Sequence, residues 1–282
     1  MAQVRIVTDS TCSLAPGMAK DLGITVVPLQ VVFGEESFRE GIEITDDQFY
    51  DRLRTTTVHP RTSQPSPGEL AEAYRKLQDE GTSAVVSIHL SGRLSGTLQS
   101  AEMASRLVPG LEVRVLDSQS VSLGLGMVVL AAARAARAGQ DAAAVEAAAS
   151  SVAERISVLF AVNTLEYLER NGRIGKAQAF LGTLLSVKPL LGLQDGIVVP
   201  VDRVRGSSRV NPRLVELIVE RAGKGSRLRV AVMDAQAPAA AEELLARIAE
   251  NYELVEVIRG GVGPVVGAHT GPGTVGVCFY RD

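Results

Sequence analysis

Tryptophan is absent from this 282-residue chain, and aromatic residues of every kind make up only 4% of it. Stacking platforms for single-stranded nucleic acid are built from such rings, so no nucleic-acid ligand is expected. A surplus of positive charge is missing too. Formal net charge is −3, Lys and Arg are scattered, and no basic run is offered to a phosphate backbone or an anionic membrane. Two cysteines, Cys12 and Cys278, stand at opposite ends without a second pair, which speaks against a disulfide framework and for a reducing compartment. Of the three histidines, His59 and His89 have no partner at metal-ligand spacing, so no His-based metal site is expected. The uncharged stretch 118–133 carries several Ser and Gly and falls short of the roughly 20 apolar residues a membrane span requires. MAQVRIVTDS, the first ten residues, lacks the apolar core of a signal peptide. These absences together predict a cytoplasmic protein without an integral membrane segment.

What is present is a large aliphatic share, 46% hydrophobic against 22% charged, enough for a substantial core. The first half alternates strand and helix patterns. Apolar runs at Val4–Val7, Ile24–Phe33, Ala84–Leu90 and Val113–Leu116 read as strands, with helical spacing after Pro67, after Ser95 and after Val121. Ser66, Pro67 and Glu69 form a capping-box signature at one helix start. An Ala-rich region, 131–153, is broken at Gly139-Gln140-Asp141 into two helices, the second capped by Asp141. From about residue 156 the pattern changes. A strand at Val158–Val162, a helical turn at 166–170, a helix over Ala177–Val187 and a hairpin across Gln194-Asp195-Gly196 come first. Helices at 211–222 and 239–250 and strands at 229–233, 254–258 and Val275–Phe279 follow. The expected fold is α/β with two domains: residues 1–155 with a mostly parallel sheet flanked by helices, and residues 156–282 as a smaller α+β unit.

Four segments stand out as candidate sites. Arg61-Thr62-Ser63-Gln64-Pro65-Ser66 is a polar loop in which Ser66 is claimed by the helix cap, leaving Thr62, Ser63 and Gln64 without local duty. Leu90-Ser91-Gly92-Arg93-Leu94-Ser95-Gly96-Thr97 links a strand to a helix, the position where open α/β sheets bind ligands. There Ser95 offers a hydroxyl and Gly96 lets a ligand approach the backbone. Gly267-Ala268-His269-Thr270-Gly271-Pro272-Gly273 reads as a turn carrying a histidine, and the glycines from 261 to 267 are interrupted by Pro264 with no helix expected after it. Leu168–Lys176 carries Arg170 and Arg173 but lacks Walker A spacing. No Gly-x-Ser-x-Gly elbow occurs, although a serine hydrolase built on Ser95 and His269 and acting on acyl esters remains the alternative in the enzyme class. Small-anion binding at the helix amino termini is a third possibility.

Five segments in order resemble the hallmarks of the DegV family: Thr-Asp-Ser-Thr-Cys at 8–12, Thr-Ser-Gln-Pro-Ser at 62–66, Leu-Ser-Gly-Thr-Leu-Gln-Ser-Ala at 94–101, Leu-Glu-Tyr-Leu-Glu-Arg-Asn-Gly-Arg-Ile at 165–174 and His-Thr-Gly-Pro-Gly at 269–273. Asn171 departs from the Gly of many members, a change that would affect only local turn geometry because Asn tolerates the left-handed region. The resemblance implies a protein that holds a long-chain fatty acid such as palmitate in a tunnel between its two domains, with no cofactor and no catalysis of its own. It implies that Thr62 and Ser95 meet the carboxylate with His269 near it, and the two loops that carry them add Ser63, Gly96 and Thr97 as expected ligand-binding residues. Arg170 and Arg205 match positions near the carboxylate or facing a partner fatty acid kinase, which would phosphorylate the bound acid.

Overall fold

A computed structural model describes residues 4–182 and 187–282. Four parallel strands form the first sheet: β1 (Val4–Asp9), β2 (Ile24–Val27), β6 (Ala84–His89) and β7 (Glu112–Asp117), in the order β2-β1-β6-β7. Every residue of β6 is buried, as a strand covered on both faces must be, which explains its unbroken apolar reading. The run expected over Ile24–Phe33 is two strands, because Pro28 cannot continue a ladder; β3 (Gln30–Phe33) leaves the parallel sheet. It pairs antiparallel with β4 (Glu36–Arg39) and with β5 (Arg61–Ser63). The polar segment at 61–66 is therefore a strand in its first half, with Thr62 opposite Val31.

Helix α1 (Pro16–Asp21) joins β1 to β2, and α2 (Asp46–Thr55) opens on a capping box of Thr45 and Gln48 that passed unnoticed in the sequence. Helix α3 (Pro67–Asp79) carries the expected box, Ser66 accepting from the Glu69 amide and Glu69 from the Ser66 amide. Both α3 and α4 (Thr97–Ser105) lie on one face of the sheet, burying Leu70, Tyr74 and Ala101 against Val7 and Val85. On the other face lie α5 (Leu123–Arg137) and α6 (Ala142–Arg155), separated as the sequence predicts, with the Asp141 carboxylate accepting from the Ala144 amide at 2.9 Å. Almost every residue of α5 from Leu123 to Leu130 is buried, because this helix also touches strands of the second half of the chain.

That half forms one six-stranded sheet. Its members are β8 (Ser157–Ala161), β9 (Val187–Gln194), β10 (Ile197–Arg205), β11 (Arg227–Asp234), β12 (Glu253–Gly261) and β13 (Val275–Arg281), in the order β10-β9-β8-β13-β11-β12. Only β11 and β12 pair in parallel. Helices α7 (Glu166–Arg170), α8 (Val210–Ala222), α9 (Pro238–Ala249) and α10 (Pro264–Thr270) complete the chain. The largest apolar cluster joins Val86 and Ile88 of β6 to Phe160 of β8 and Cys278 of β13 through α5. Both cysteines are free and buried.

Two expectations need correction. The helix drawn over Ala177–Val187 is a 3-10 stretch, Gly175–Phe180, and Val187 already belongs to β9; residues 183–186 of that span lie outside the described residues. Pairing of β9 with both β8 and β10 buries Leu190 and Leu191 on a sheet, and this outweighs the helical spacing. A helix does follow Pro264: α10 starts on that proline at its first position.

Candidate functional site

The carboxyl ends of the four parallel strands all feed one cavity of about 190 Å³. Thr11 follows β1, Leu29 follows β2, Leu90, Leu94 and Ser95 follow β6, and Val121 follows β7. Between β1 and β6 the chain's strand order reverses direction, the crevice in which such sheets receive ligands. The second half closes the cavity with Phe160, Leu168, Arg173, Leu193, Val198 and α10.

Two polar loops meet at its mouth. Thr62 and Ser63 line it from β5, Gln64 from just after that strand, Ser95 from the loop before α4, and His269 from the last turn of α10. The side-chain amide of Gln64 lies over Gly96 so closely that a Cβ there would stand 2.5 Å from its nitrogen, so a larger residue would displace Gln64. That face of Gly96 is thus taken by Gln64 rather than open to a ligand. Ser95 makes a 2.9 Å hydroxyl contact with Thr97 and accepts from the Thr97 amide, while Thr97 itself is fully buried and acts by holding Ser95. Gly96, not Ser95, occupies the cap position of α4 and gives no side-chain bond. The Leu90–Thr97 loop is anchored from beneath. Ser91 donates to the Gly196 carbonyl at 2.7 Å in the β9–β10 turn, where Gly196 at φ 74° could not carry a side chain past the serine hydroxyl.

His269 is hydrogen-bonded to Thr62, Nε2 to Oγ1, at 2.8 Å. Its Nδ1 is shielded from solvent and has no partner among the described residues. Burial, then the charge of Arg173 and the neighbouring His59, push this imidazole down to about 3, so it is neutral at physiological pH. No hydrogen bond links His269 to Ser95, which is engaged with Thr97 instead. A Ser–His–Asp sequence of bonds does exist elsewhere. Ser87 Oγ lies 2.8 Å from His89 Nε2, and His89 Nδ1 lies 3.0 Å from the Asp9 carboxylate. All three are fully buried and Ser87 is also tied to the Tyr74 hydroxyl at 2.8 Å, so no substrate reaches the serine. Asp9 further accepts from the Thr11 amide and hydroxyl and from the Leu90 amide, which fixes two cavity-lining residues.

Among the described residues Arg173 is the only charged one in the cavity wall. It donates to the Leu94 and Asn171 carbonyls at 3.1 and 2.7 Å and forms no ion pair among the described residues, so its charge stays uncompensated. Asn171 is not left-handed (φ −94°); Gly172 takes that conformation. The Asn171 amide instead binds His59 Nε2 and the Pro60 and Ala268 carbonyls, so it ties the first loop to α10. Arg170 and Arg205 do not line the cavity. Arg170 is exposed, pairs with Glu166 at 2.6 Å and borders a separate depression with His59 and Arg61; Arg205 ends β10 in solvent.

Past the mouth the lining turns apolar. Val121, Phe160, Val266 and Thr270 are shared with an adjoining small cavity, about 40 Å³, whose further walls are Val158, Met233, Val262, Ser122 and Thr274. Sequence reasoning placed Thr11 and Arg173 in motifs without giving either a role at the site, and it missed this inner end. The signal for Arg173 lay in the motif at 165–174; nothing marks Val158 or Met233 in a sequence, because core and cavity use the same residues. Among the described residues no three His, Cys, Asp or Glu side chains gather as a metal site would need, and no helix is long and apolar enough to cross a membrane.

A family model described as that of an uncharacterised protein of the DegV family matches residues 3–282. A DegV domain-containing protein of Halalkalibacterium halodurans is 39% identical over 282 residues, all of both chains. A DegV family protein of Thermus thermophilus, whose structure is reported for its fatty acid binding, superposes with a TM-score of 0.93 at 39% identity, covering 99% of this chain and 100% of the other. DegV of Bacillus subtilis, reported as a fatty acid binding protein, does so at 0.89 and 35% over the full length of both. The chain belongs to the DegV family.

Proposed function

We propose that this protein binds a long-chain fatty acid without chemistry of its own. In this reading the carboxylate sits at Thr62 and Ser95, beside Ser63 and His269, and the acyl chain runs inward past Phe160 between residues 1–155 and 156–282. The observation that carries it is the cavity's polarity. Among the described residues, one cation without an ion pair and a set of hydroxyls line the mouth, no carboxylate lines the wall, and the inner end is mostly apolar. A carboxylate leaving water needs several donors at once, and hydroxyls with a nearby guanidinium supply them. Each buried methylene adds about 0.8 kcal/mol, so a sixteen-carbon chain gains on the order of 10 kcal/mol before ordering costs. Relatives reported to bind fatty acids lend support.

Arg170 and Arg205 are exposed in this fold and belong to the same proposal as residues that meet a partner fatty acid kinase. Denaturing extraction of the purified protein, followed by mass spectrometry, tests the binding. A fatty acid in the extract, or saturable uptake of palmitate by ligand-free protein, is expected. Empty protein that takes up neither palmitate nor oleate rules the proposal out.

A further inference from the structure

Behind the cavity wall, 6% exposed, lies a carboxylate that the mouth does not use: Glu40. It accepts from the Val265 amide at 2.9 Å, in the first turn of α10, and from the Ser10 hydroxyl. Ser10 Oγ in turn accepts from the Leu29 amide at 3.0 Å. Thr11, Leu29 and Val265, each beside or within this chain of bonds, all line the cavity, and α10 also carries Val266, His269 and Thr270. Gly263, the residue before α10, packs so close that a Cβ would lie 2.6 Å from the carboxylate oxygen. Three wall elements that share no local sequence are thus joined through two side chains, Glu40 and Ser10.

We propose that Glu40 is a positioning residue for the binding cavity, fixing α10 against the Ser10–Cys12 turn and making the affinity for the acid fall as pH rises through neutrality. The inference rests on the fatty-acid reading. No cation pairs with Glu40 among the described residues. Asp9 at the end of β1, Asp46 and Tyr50 of α2, and Cys12 in the turn face it, while Lys20 of α1 and Arg259 of β12 border the surface groove that Glu40 and Asp46 share. Burial raises the Glu40 carboxyl, against the pull of its bonds from Ser10 and Val265, and Asp46 and Asp9 add to the rise, bringing it to about 7. Protonated, the group keeps both contacts without a buried charge. Ionised, it adds an unpaired negative charge behind a site that receives another, so an anionic ligand and a proton on Glu40 favour each other. Folding stability has the same sign: a folded-state pKa above the ordinary carboxyl value means stability is lost as pH rises from about 4.5 through about 7.

The test is the ratio of palmitate Kd in the wild type to that in Glu40→Gln, measured from pH 6 to 8.5. The titration of palmitate itself is common to both proteins and cancels in the ratio, and Asp46→Asn serves as the control for the neighbouring carboxylate. The ratio is expected to rise about fivefold across the range. Ser10→Ala, which removes a bond that holds Glu40 ionised, should move the midpoint of that rise to higher pH. A flat ratio with palmitate still bound overturns the role of Glu40 and leaves fatty-acid binding standing. Loss of all palmitate binding in the wild type overturns both.

Discussion

Two histidines, His89 at the end of β6 and His269 in the last turn of α10, meet opposite fates. His89 has both ring nitrogens satisfied, by Ser87 and Asp9, in a network with no exposed atom. His269 has one nitrogen on Thr62, the other unpartnered, and a place in the cavity wall. Residue type does not distinguish them, and the constellation that looks like a catalytic triad is the one that only builds the scaffold. Completeness of hydrogen bonding separates structure from site here. A satisfied buried network holds shape, whereas an incomplete one beside a cavity is poised for something that comes in.

The strongest challenge to that contrast is Asp9→Ala. It strands the His89 ring and the Thr11 and Leu90 amides without an acceptor, and urea denaturation should register a loss of roughly 3–5 kcal/mol. A loss below about 1 kcal/mol would deny the network its structural role. Next in size is the pair Thr62→Ala with Ser95→Ala. Palmitate affinity, followed by displacement of a fluorescent fatty acid, should drop at least roughly 100-fold, since two bonds to a charged head are removed. Unfolding should shift far less than in Asp9→Ala.

Arg173→Gln is milder. The side chain is exposed, so about a fivefold weakening for palmitate is expected, shrinking in high salt and absent for a neutral long-chain alcohol. Equal weakening for acid and alcohol would show that the charge plays no part. A separate comparison, read against pH, concerns His269 and acid. Its depressed pKa means that the folded state resists the proton, so stability present above about pH 6.5 is lost as pH falls toward 3. Against His269→Gln, the wild type should lose up to about 1 kcal/mol per pH unit below 6.5. The Glu40 contribution cancels in that comparison.

Much of the scaffold could be read from local chemistry. The Ser66–Glu69 capping box, the break at Gly139 before Asp141 and the turn at Asp195-Gly196 each depend on residues a few positions apart, and each appears where the pattern puts it. Helix α10 escaped because Gly261–Gly273 reads as a glycine-and-proline turn. Its helical state depends on distant partners: Glu40 on its first turn, and Tyr50, whose hydroxyl donates to the Val262 carbonyl at 2.8 Å. Gln64 over Gly96 and Asn171 beneath His59 are likewise contacts between segments that no spacing rule connects. Thr62 and Ser63 could be singled out because the helix cap claims only Ser66, Ser95 because it follows a strand at the carboxyl edge of the sheet, and His269 because it stands in a glycine-rich segment. Thr97 could not be told from them, since its buried bond to Ser95 exists only in three dimensions.

Crystals grown with palmitate test the central claim most directly. The account predicts its carboxylate within hydrogen-bonding distance of Thr62 Oγ1 and Ser95 Oγ, with the chain passing Phe160 toward Met233. Palmitate seated elsewhere, or lying with its methyl end at the mouth and its carboxylate inside, would contradict it.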